Sequence, residues 1–491
     1  MNIVESIISE TLPFADKLAV VQDSRSITYR DLLIQVEDLR KLLSHRGIGP
    51  GQRIGFRCSD GIDYIIGALA LLKCGAAVVP LADSLTHSEI QNTIDRIEVH
   101  GILIHNLLNN PIDSDSITLR GSVFYWQPRC HVTDLDSACL DLGAAFIRFS
   151  SGTTGASKGV VLSHRSIIDR TDAANRGMEI AHRDVILWVL GMSHHFVVSI
   201  LLFLRKGATI VVANHDFPFS MLDAALTFPI TFIYASPLHY HLLASMDAVP
   251  SQAFAKVRLA ISTAMKMPPD ISDAFACKFG FAPAQAYGII EVGLPFLNHE
   301  VGTGGEATVG RMLPDYQLRI ANADADGIGE IFIRGKGMFD AYFSPWRLRA
   351  QCLQDGWFQT GDLGRLDNAG RLCLLGRCKT VIVCAGMKVF PEEVEEVINS
   401  LEGIVESLVS AQEHPQFGQV PTARIVLADA IDDPACLIAD LRRLCCQRLS
   451  PYKVPVEFHI VSRLPKTPSG KLARAVPSLP VHNCDDDPFT A

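Results

Sequence analysis

Along the chain, short unbroken apolar runs alternate with longer stretches in which apolar residues recur at three- and four-residue steps. Residues 78–81, 145–149, 209–212, 230–234 and 258–262 are runs of the first kind and predict strands buried on both faces. Residues 31–43, 64–73 and 238–245 carry the second spacing and predict helices packed through one face. Their alternation predicts an α/β fold of layered subdomains. Between 309 and 377 the pattern becomes a two-residue alternation over 317–320, 330–334 and 372–376, broken at Asp326-Gly327 and Asn368-Ala369-Gly370. That texture predicts a small barrel-like antiparallel β portion. Beyond it the order is strand, helix (391–401), strand, helix (436–449), strand, which predicts a small α+β domain. The expected division is 1–378 as a large N-terminal domain and 379–476 as a C-terminal lid. Residues 477–491, which include Asp485-Asp486-Asp487, are expected to be a flexible tail with little to bury.

Composition narrows the function. With 491 residues, 48% hydrophobic and 20% charged, the chain can bury large cores, which excludes disorder for its bulk. A net charge of −9, from 44 Lys+Arg against 53 Asp+Glu, lacks the footprint of a general nucleic-acid binder. A local basic site for a phosphorylated ligand stays open. The most apolar window, 186–204, is interrupted by Ser193, His194 and His195, groups costly in lipid, so it predicts a buried soluble helix and no membrane span. The 13 cysteines form no paired CxxC set with zinc spacing. Glu5, Glu10 and Asp16 near the N-terminus, with no basic n-region, argue against a secretory signal. Reduced thiols and a cytoplasmic location are the expectation.

One segment stands out chemically: Ser150-Ser151-Gly152-Thr153-Thr154-Gly155-Ala156-Ser157-Lys158-Gly159, between two apolar runs. Its glycines allow consecutive N–H groups to point into one concavity, and its hydroxyls and lysine suit a polyphosphate. The glycine-to-lysine spacing is not that of a Walker A loop. The bland alternative is a flexible linker, which would rarely join two buried strands with a lysine at its exit.

This segment resembles the phosphate-binding signature of the adenylate-forming superfamily: acyl- and aryl-CoA synthetases, peptide-synthetase adenylation domains and luciferases. The resemblance recurs in order along the chain. It runs through Ile27-Thr28-Tyr29-Arg30-Asp31-Leu32, Gly75-Ala76-Ala77-Val78-Val79-Pro80, Tyr287-Gly288-Ile289-Ile290-Glu291, Gly329-Glu330-Ile331 and Thr360-Gly361-Asp362. Gly376-Arg377-Cys378-Lys379, Pro451-Tyr452-Lys453-Val454-Pro455 and Pro465-Lys466-Thr467-Pro468-Ser469-Gly470-Lys471 continue it.

The resemblance implies an ATP-dependent carboxylate ligase that forms an acyl adenylate and pyrophosphate, then passes the acyl group to a thiol. It implies that Ser150, Ser151, Gly152, Thr153, Thr154, Gly155 and Lys158 hold the β- and γ-phosphates, and that Glu291 binds Mg²⁺. Tyr287 would present its ring to adenine, Asp362 would accept from the ribose hydroxyls, and Arg377 would donate to ribose or phosphate. Lys471 occupies the catalytic lysine position, bridging the acid and the α-phosphate. Lys379 stands at the hinge about which a mobile lid swings, and Gly386 and Met387 would line the thiol tunnel. His195 resembles a pocket-facing, catalytic histidine; the acid pocket would be built from His195, Phe196, Val197, Tyr234, Thr263, Gly288 and Leu294. Taken singly, each has a plainer reading: a turn aspartate, a surface ion pair, a packed tyrosine, a solvated lysine. Glu392, Glu393, Glu395 and Glu396 read as the charged start of a helix, not as catalytic carboxylates.

Two departures matter. Ile290 stands where the resembling enzymes carry a threonine whose hydroxyl contacts the α-phosphate, and Ser262-Thr263-Ala264-Met265-Lys266 replaces a more glycine-rich loop. They keep open a catalytically impaired nucleotide-binding protein as an alternative. The stretch 193–199 holds no acid to pair an ammonium, which disfavours an α-amino acid substrate. The acceptor is expected to be CoA or the phosphopantetheine of a separate carrier protein, because about twenty residues after Lys471 leave no room for a fused carrier domain, whose lower size is about 50 residues. A stand-alone enzyme dedicated to such a carrier in a biosynthetic pathway is the nearest alternative.

Overall fold

The computed structural model describes residues 1–83, 85–105, 115–129, 135–149, 158–263, 265–299, 308–384, 387–415, 417–428, 433–466, 472 and 474. Two nine-stranded sheets make up the large N-terminal part. At the centre of the first, Ala284–Ile289, Leu259–Ser262, Phe232–Ala235, Val185–Trp188, Thr209–Val212 and Leu18–Gln22 run parallel in that spatial order. The second has Ala144–Phe149, Ala77–Pro80, Arg53–Arg57 and Gly101–His105 parallel at its centre and antiparallel strands at both edges. These central strands are uniformly apolar because helices cover both of their faces.

The helix Ile62–Lys73 is buried nearly all round, with its hydrophobic residues in one core cluster shared with strands of both large sheets. The helices Ile3–Thr11 and His164–Met178 add their apolar faces to the same core. The window 186–204 departs from its expected single helix. Its first residues form the strand Val185–Trp188, and helical structure begins only at Met192 and runs on to Arg205. A buried parallel strand and a buried helix are equally apolar, so hydrophobicity could not separate them. Among the described residues no helix is long and apolar enough to cross a membrane.

The predicted antiparallel portion is a four-stranded sheet of Tyr316–Ala321, Gly329–Gly335, Phe358–Leu366 and Leu372–Arg377. The small C-terminal part has its own sheet, in which Ile404–His414 and Gly418–Leu427 form the long hairpin. Pro391–Asn399 and Pro434–Arg448 supply its helices, and a separate core holds it together around Ile398, Val409, Ile425 and Leu441.

The site follows from this topology. In open parallel sheets, ligands bind beyond the carboxyl ends of the strands. Here the carboxyl ends from both large sheets open onto one cleft: Arg148 and Phe149 from one, Tyr234, Thr263 and Tyr287 from the other.

Candidate active site

The cleft has a volume of about 2160 Å³ and is lined by residues of all four sheets' surroundings, including Lys453 and Glu392 from the C-terminal part. Among its lining residues Tyr287, Asp362 and Arg377 meet, which the sequence spacing alone could not bring together. The Tyr287 hydroxyl donates to Asp362 Oδ2 at 2.5 Å, and Arg377 Nε lies 2.9 Å from Asp362 Oδ1. Asp362 and Arg377 are direct cross-strand partners, so the register of the small sheet sets that pair. Burial, and then the neighbouring Asp362 charge, hold the Tyr287 phenol well above its ordinary value, so it stays a donor.

Glu291 lies beside the cleft, on the turn after Ala284–Ile289. Tyr342 Oη donates to its carboxylate at 3.2 Å, and Lys158 Nζ stands 4.8 Å over the Tyr342 ring. The exit of the Ser/Gly-rich segment and the expected metal ligand are thus joined through one tyrosine. Among the described residues no group of three or more His, Cys, Asp or Glu could cage a metal. A single carboxylate fits Mg²⁺ that arrives on a triphosphate, since Mg²⁺ keeps waters and phosphate oxygens as most of its ligands.

Two arginines missed by the sequence reading flank this region. Arg170 is fully buried on the helix His164–Met178 and donates through Nε and Nη2 to Gly337 O, at 2.9 and 2.7 Å, and through Nη1 to Ile290 O at 3.1 Å. The Ile290 peptide is therefore clamped whatever its side chain. Gly337 has φ +70, and a Cβ there would come within 2.3 Å of Arg170 N, so only glycine admits the clamp. Arg148, on the strand before the Ser/Gly-rich segment, lines the cleft and donates to His194 O. Burial pushes both guanidiniums down to about 10, while the Glu291 carboxylate pulls each the other way. A lone cation in an apolar strand and another on a buried helix face were the signals available.

The expected acid-pocket residues give an apolar lining with scattered hydroxyls. Val197, Tyr234, Thr263, Gly288, Leu294 and His195 all line the cleft. His195 is edge-on to Trp188 and to Tyr234, each at 6.2 Å between centroids. The Asp60 carboxyl accepts from Met192 N at 3.0 Å and so anchors the start of the 192–195 turn. Phe196 does not belong to this lining. It is 1% exposed and packs its ring against Tyr64 at 5.5 Å, because residues 196 and 200 share the core-facing side of the helical segment while Val197 and Val198 face the cleft.

On the C-terminal part, Lys379 is exposed in the turn after Leu372–Arg377, and Met387 is half-exposed opposite Cys384. Ser150, Ser151, Gly152, Thr153, Thr154, Gly155, Gly386 and Lys471 lie outside the described residues. The flanks of Lys471 are tethered, however. Leu472 bridges to Lys466, and Arg474 makes a bidentate pair with the buried Glu395 at 2.8 and 2.7 Å. The glutamates of Pro391–Asn399 work as ion-pair anchors: Glu393 takes Lys453 at 2.7 Å, and Glu396 takes Lys266 of the large part at 2.6 Å.

Two sheets with parallel centres, a small antiparallel sheet and a separate C-terminal sheet meeting at one cleft define the adenylate-forming class. Residues 12–343 match the AMP-binding enzyme family and residues 393–471 the C-terminal domain of AMP-binding enzymes. The chain belongs to this family, and it is an enzyme of the acid–thiol ligase kind. It is 26% identical to the 3-[(3aS,4S,7aS)-7a-methyl-1,5-dioxo-octahydro-1H-inden-4-yl]propanoyl:CoA ligase of Rhodococcus jostii, across 94% of this chain and 95% of that protein. It is also 26% identical to the 2-succinylbenzoate–CoA ligase of Staphylococcus epidermidis, across 94% of each. The fold matches o-succinylbenzoate CoA synthetase from Bacillus subtilis, solved with the acyl-adenylate OSB-AMP, at a TM-score of 0.81, 21% identity and 96% of each chain.

Proposed function

We propose that this enzyme activates a carboxylic acid other than an α-amino acid with ATP and transfers the acyl group to the thiol of CoA. A carboxylate oxygen attacks the α-phosphorus, and the bond to pyrophosphate breaks. The thiol sulfur then attacks the acyl carbon, the bond to AMP breaks, and the thiol proton leaves. The observation that carries the reading is one cleft whose lining holds both the Tyr287–Asp362–Arg377 cluster and the Val197, Tyr234 and Thr263 side chains. Relatives named as CoA ligases support CoA over a carrier protein as acceptor.

In this reading Asp362 and Arg377 hold the ribose, and Tyr287 keeps the Asp362 carboxylate oriented. Lys158 and the 150–157 segment hold the β- and γ-phosphates, and Mg²⁺, when bound at Glu291, supplies charge neutralisation on them. Lys471 donates to the acid and the α-phosphate as charge moves between them. Lys379 is the hinge of the swing that exchanges Lys471 for the Gly386–Met387 loop and opens the thiol tunnel. His195 faces the reacting carboxylate from the acid pocket. Carboxylate-dependent pyrophosphate exchange across alkyl, aryl and α-amino acids, followed by thioester formation on CoA, tests the reading. Absence of exchange with every acid overturns it; thioester only on a carrier protein overturns the choice of CoA.

A further inference from the structure

Three hydroxyls meet in the acid pocket of an otherwise apolar wall. Tyr234 is 3% exposed, Thr263 8% and Ser199 0%, and all three line the cleft. The phenol of Tyr234 is turned towards the Thr263 and Ser199 hydroxyls, yet Ser199 Oγ completes no hydrogen bond. Val197, Val198, Ile289 and Leu294 add apolar side chains to the lining of the same cleft. A buried hydroxyl left without a partner is costly, and native interiors rarely keep one unless something else satisfies it.

The pocket is also shaped for a flat group. Tyr234 stacks on Trp188 at 5.8 Å with an interplanar angle of 10°, and His195 stands edge-on to both, so one wall is a fixed aromatic cluster. Elsewhere Gly288 exposes bare peptide to the cleft, and a Cβ there would come within 2.5 Å of Gly293 O. An aromatic wall and a side-chain-free peptide leave room for a ring lying against them.

Resting on the ligase reading above, we propose that the substrate is a planar aromatic or arylalkenoic carboxylic acid with a ring oxygen. That oxygen, a hydroxyl or its equivalent, bonds to the Ser199–Tyr234–Thr263 trio. A plain alkyl tail or an unsubstituted ring fills the apolar part of the pocket and leaves Ser199 desolvated and unpaired. Sites built to bond a substrate hydroxyl discriminate strongly against the analogue that lacks it.

The test is kcat/KM in pyrophosphate exchange for benzoate and cinnamate against their 3- and 4-hydroxy forms, with octanoate alongside. At least one hydroxylated acid is expected to exceed its parent by about a hundredfold or more. Ser199→Ala and, separately, Tyr234→Phe are expected to shrink that ratio about tenfold or more. A structural role for either residue lowers both acids together and leaves the ratio intact, which overturns the proposal. Turnover of octanoate or the parent acids as good as any hydroxylated acid also overturns it, while the ligase reading stands. Absence of exchange with every acid sinks both.

Discussion

Tyr287 donates its hydroxyl hydrogen to the same carboxylate, Asp362, that holds the Arg377 guanidinium. The three come from two sheets, and the bond ties the last parallel strand of the first large sheet to the small antiparallel one. A hydrogen bond to a charged group is worth about 1.5–3 kcal/mol. Tyr287→Phe removes it and leaves the Asp362 carboxylate, still paired with Arg377, less firmly oriented. The expected outcome is a KM for ATP raised about tenfold or more, since each 1.4 kcal/mol is roughly tenfold. Steady-state kinetics with ATP varied at saturating acid measures it.

Leu472 and Arg474, which follow Lys471 in sequence, are held by the Lys466–Leu472 bridge and the Arg474–Glu395 pair. Removing a preorganised donor of this kind costs about 2.7–4 kcal/mol in the transition state. Lys471→Ala is expected to lower pyrophosphate exchange by about 10²–10³-fold while ATP binding by calorimetry stays near the wild-type value. Unchanged exchange would remove Lys471 from the chemistry.

Ile290 offers a gain instead of a loss. Its carbonyl is already clamped by Arg170, so a threonine side chain can be placed there without disturbing the turn. Ile290→Thr supplies one hydroxyl donor, worth about 1 kcal/mol. Adenylation measured by single-turnover burst is expected to rise roughly fivefold. A fall would show that the isoleucine packs for a purpose of its own.

Acid stability is expected to depend on Asp184. Burial alone would raise its pKa, but hydrogen bonds from Arg258, Ala181 N and Thr231 outweigh that and hold it below the usual carboxylate value. Folding therefore favours the ionised form. The stabilisation is complete above the unfolded-state value and is lost as pH falls through the folded-state one. Asp184→Ala leaves Arg258 without its carboxylate and is expected to cost about 3 kcal/mol near neutral pH. Denaturant melts at pH 7 and below pH 4 should show the wild-type and variant curves converging in acid.

Much of the fold was legible because its signals are local. Residues 209–212 read as a strand and are one, Thr209–Val212, and the predicted helix 31–43 lies within Tyr29–Ser44. Apolar periodicity reports which face of a short segment is buried, and turn residues report where it stops. The misreading of 186–204 came from a nearly continuous apolar run in which a buried strand passes into a buried helical segment, where periodicity carries little information. Arg148 and Arg170 were overlooked for a related reason. A cation in an apolar segment marks something unusual, but its partners, His194 O in one case and Gly337 O and Ile290 O in the other, are peptide carbonyls that no motif announces.

The sequence by itself determined the class of chemistry, since the Ser/Gly-rich segment and the ordered motifs from Tyr29 to Lys471 depend only on residue types and near-neighbour spacing. Tertiary structure alone decided which side chains meet at the cleft. Tyr287 meets Asp362 across 75 positions, and Phe196 turns to the core while its neighbour Val197 lines the cleft. It also brought Ser199, Tyr234 and Thr263 to one place, from a helical segment and two strand ends. The physical reason is that strand order, sheet register and helix rotation are settled by burial of the whole core. No short stretch of sequence carries that information.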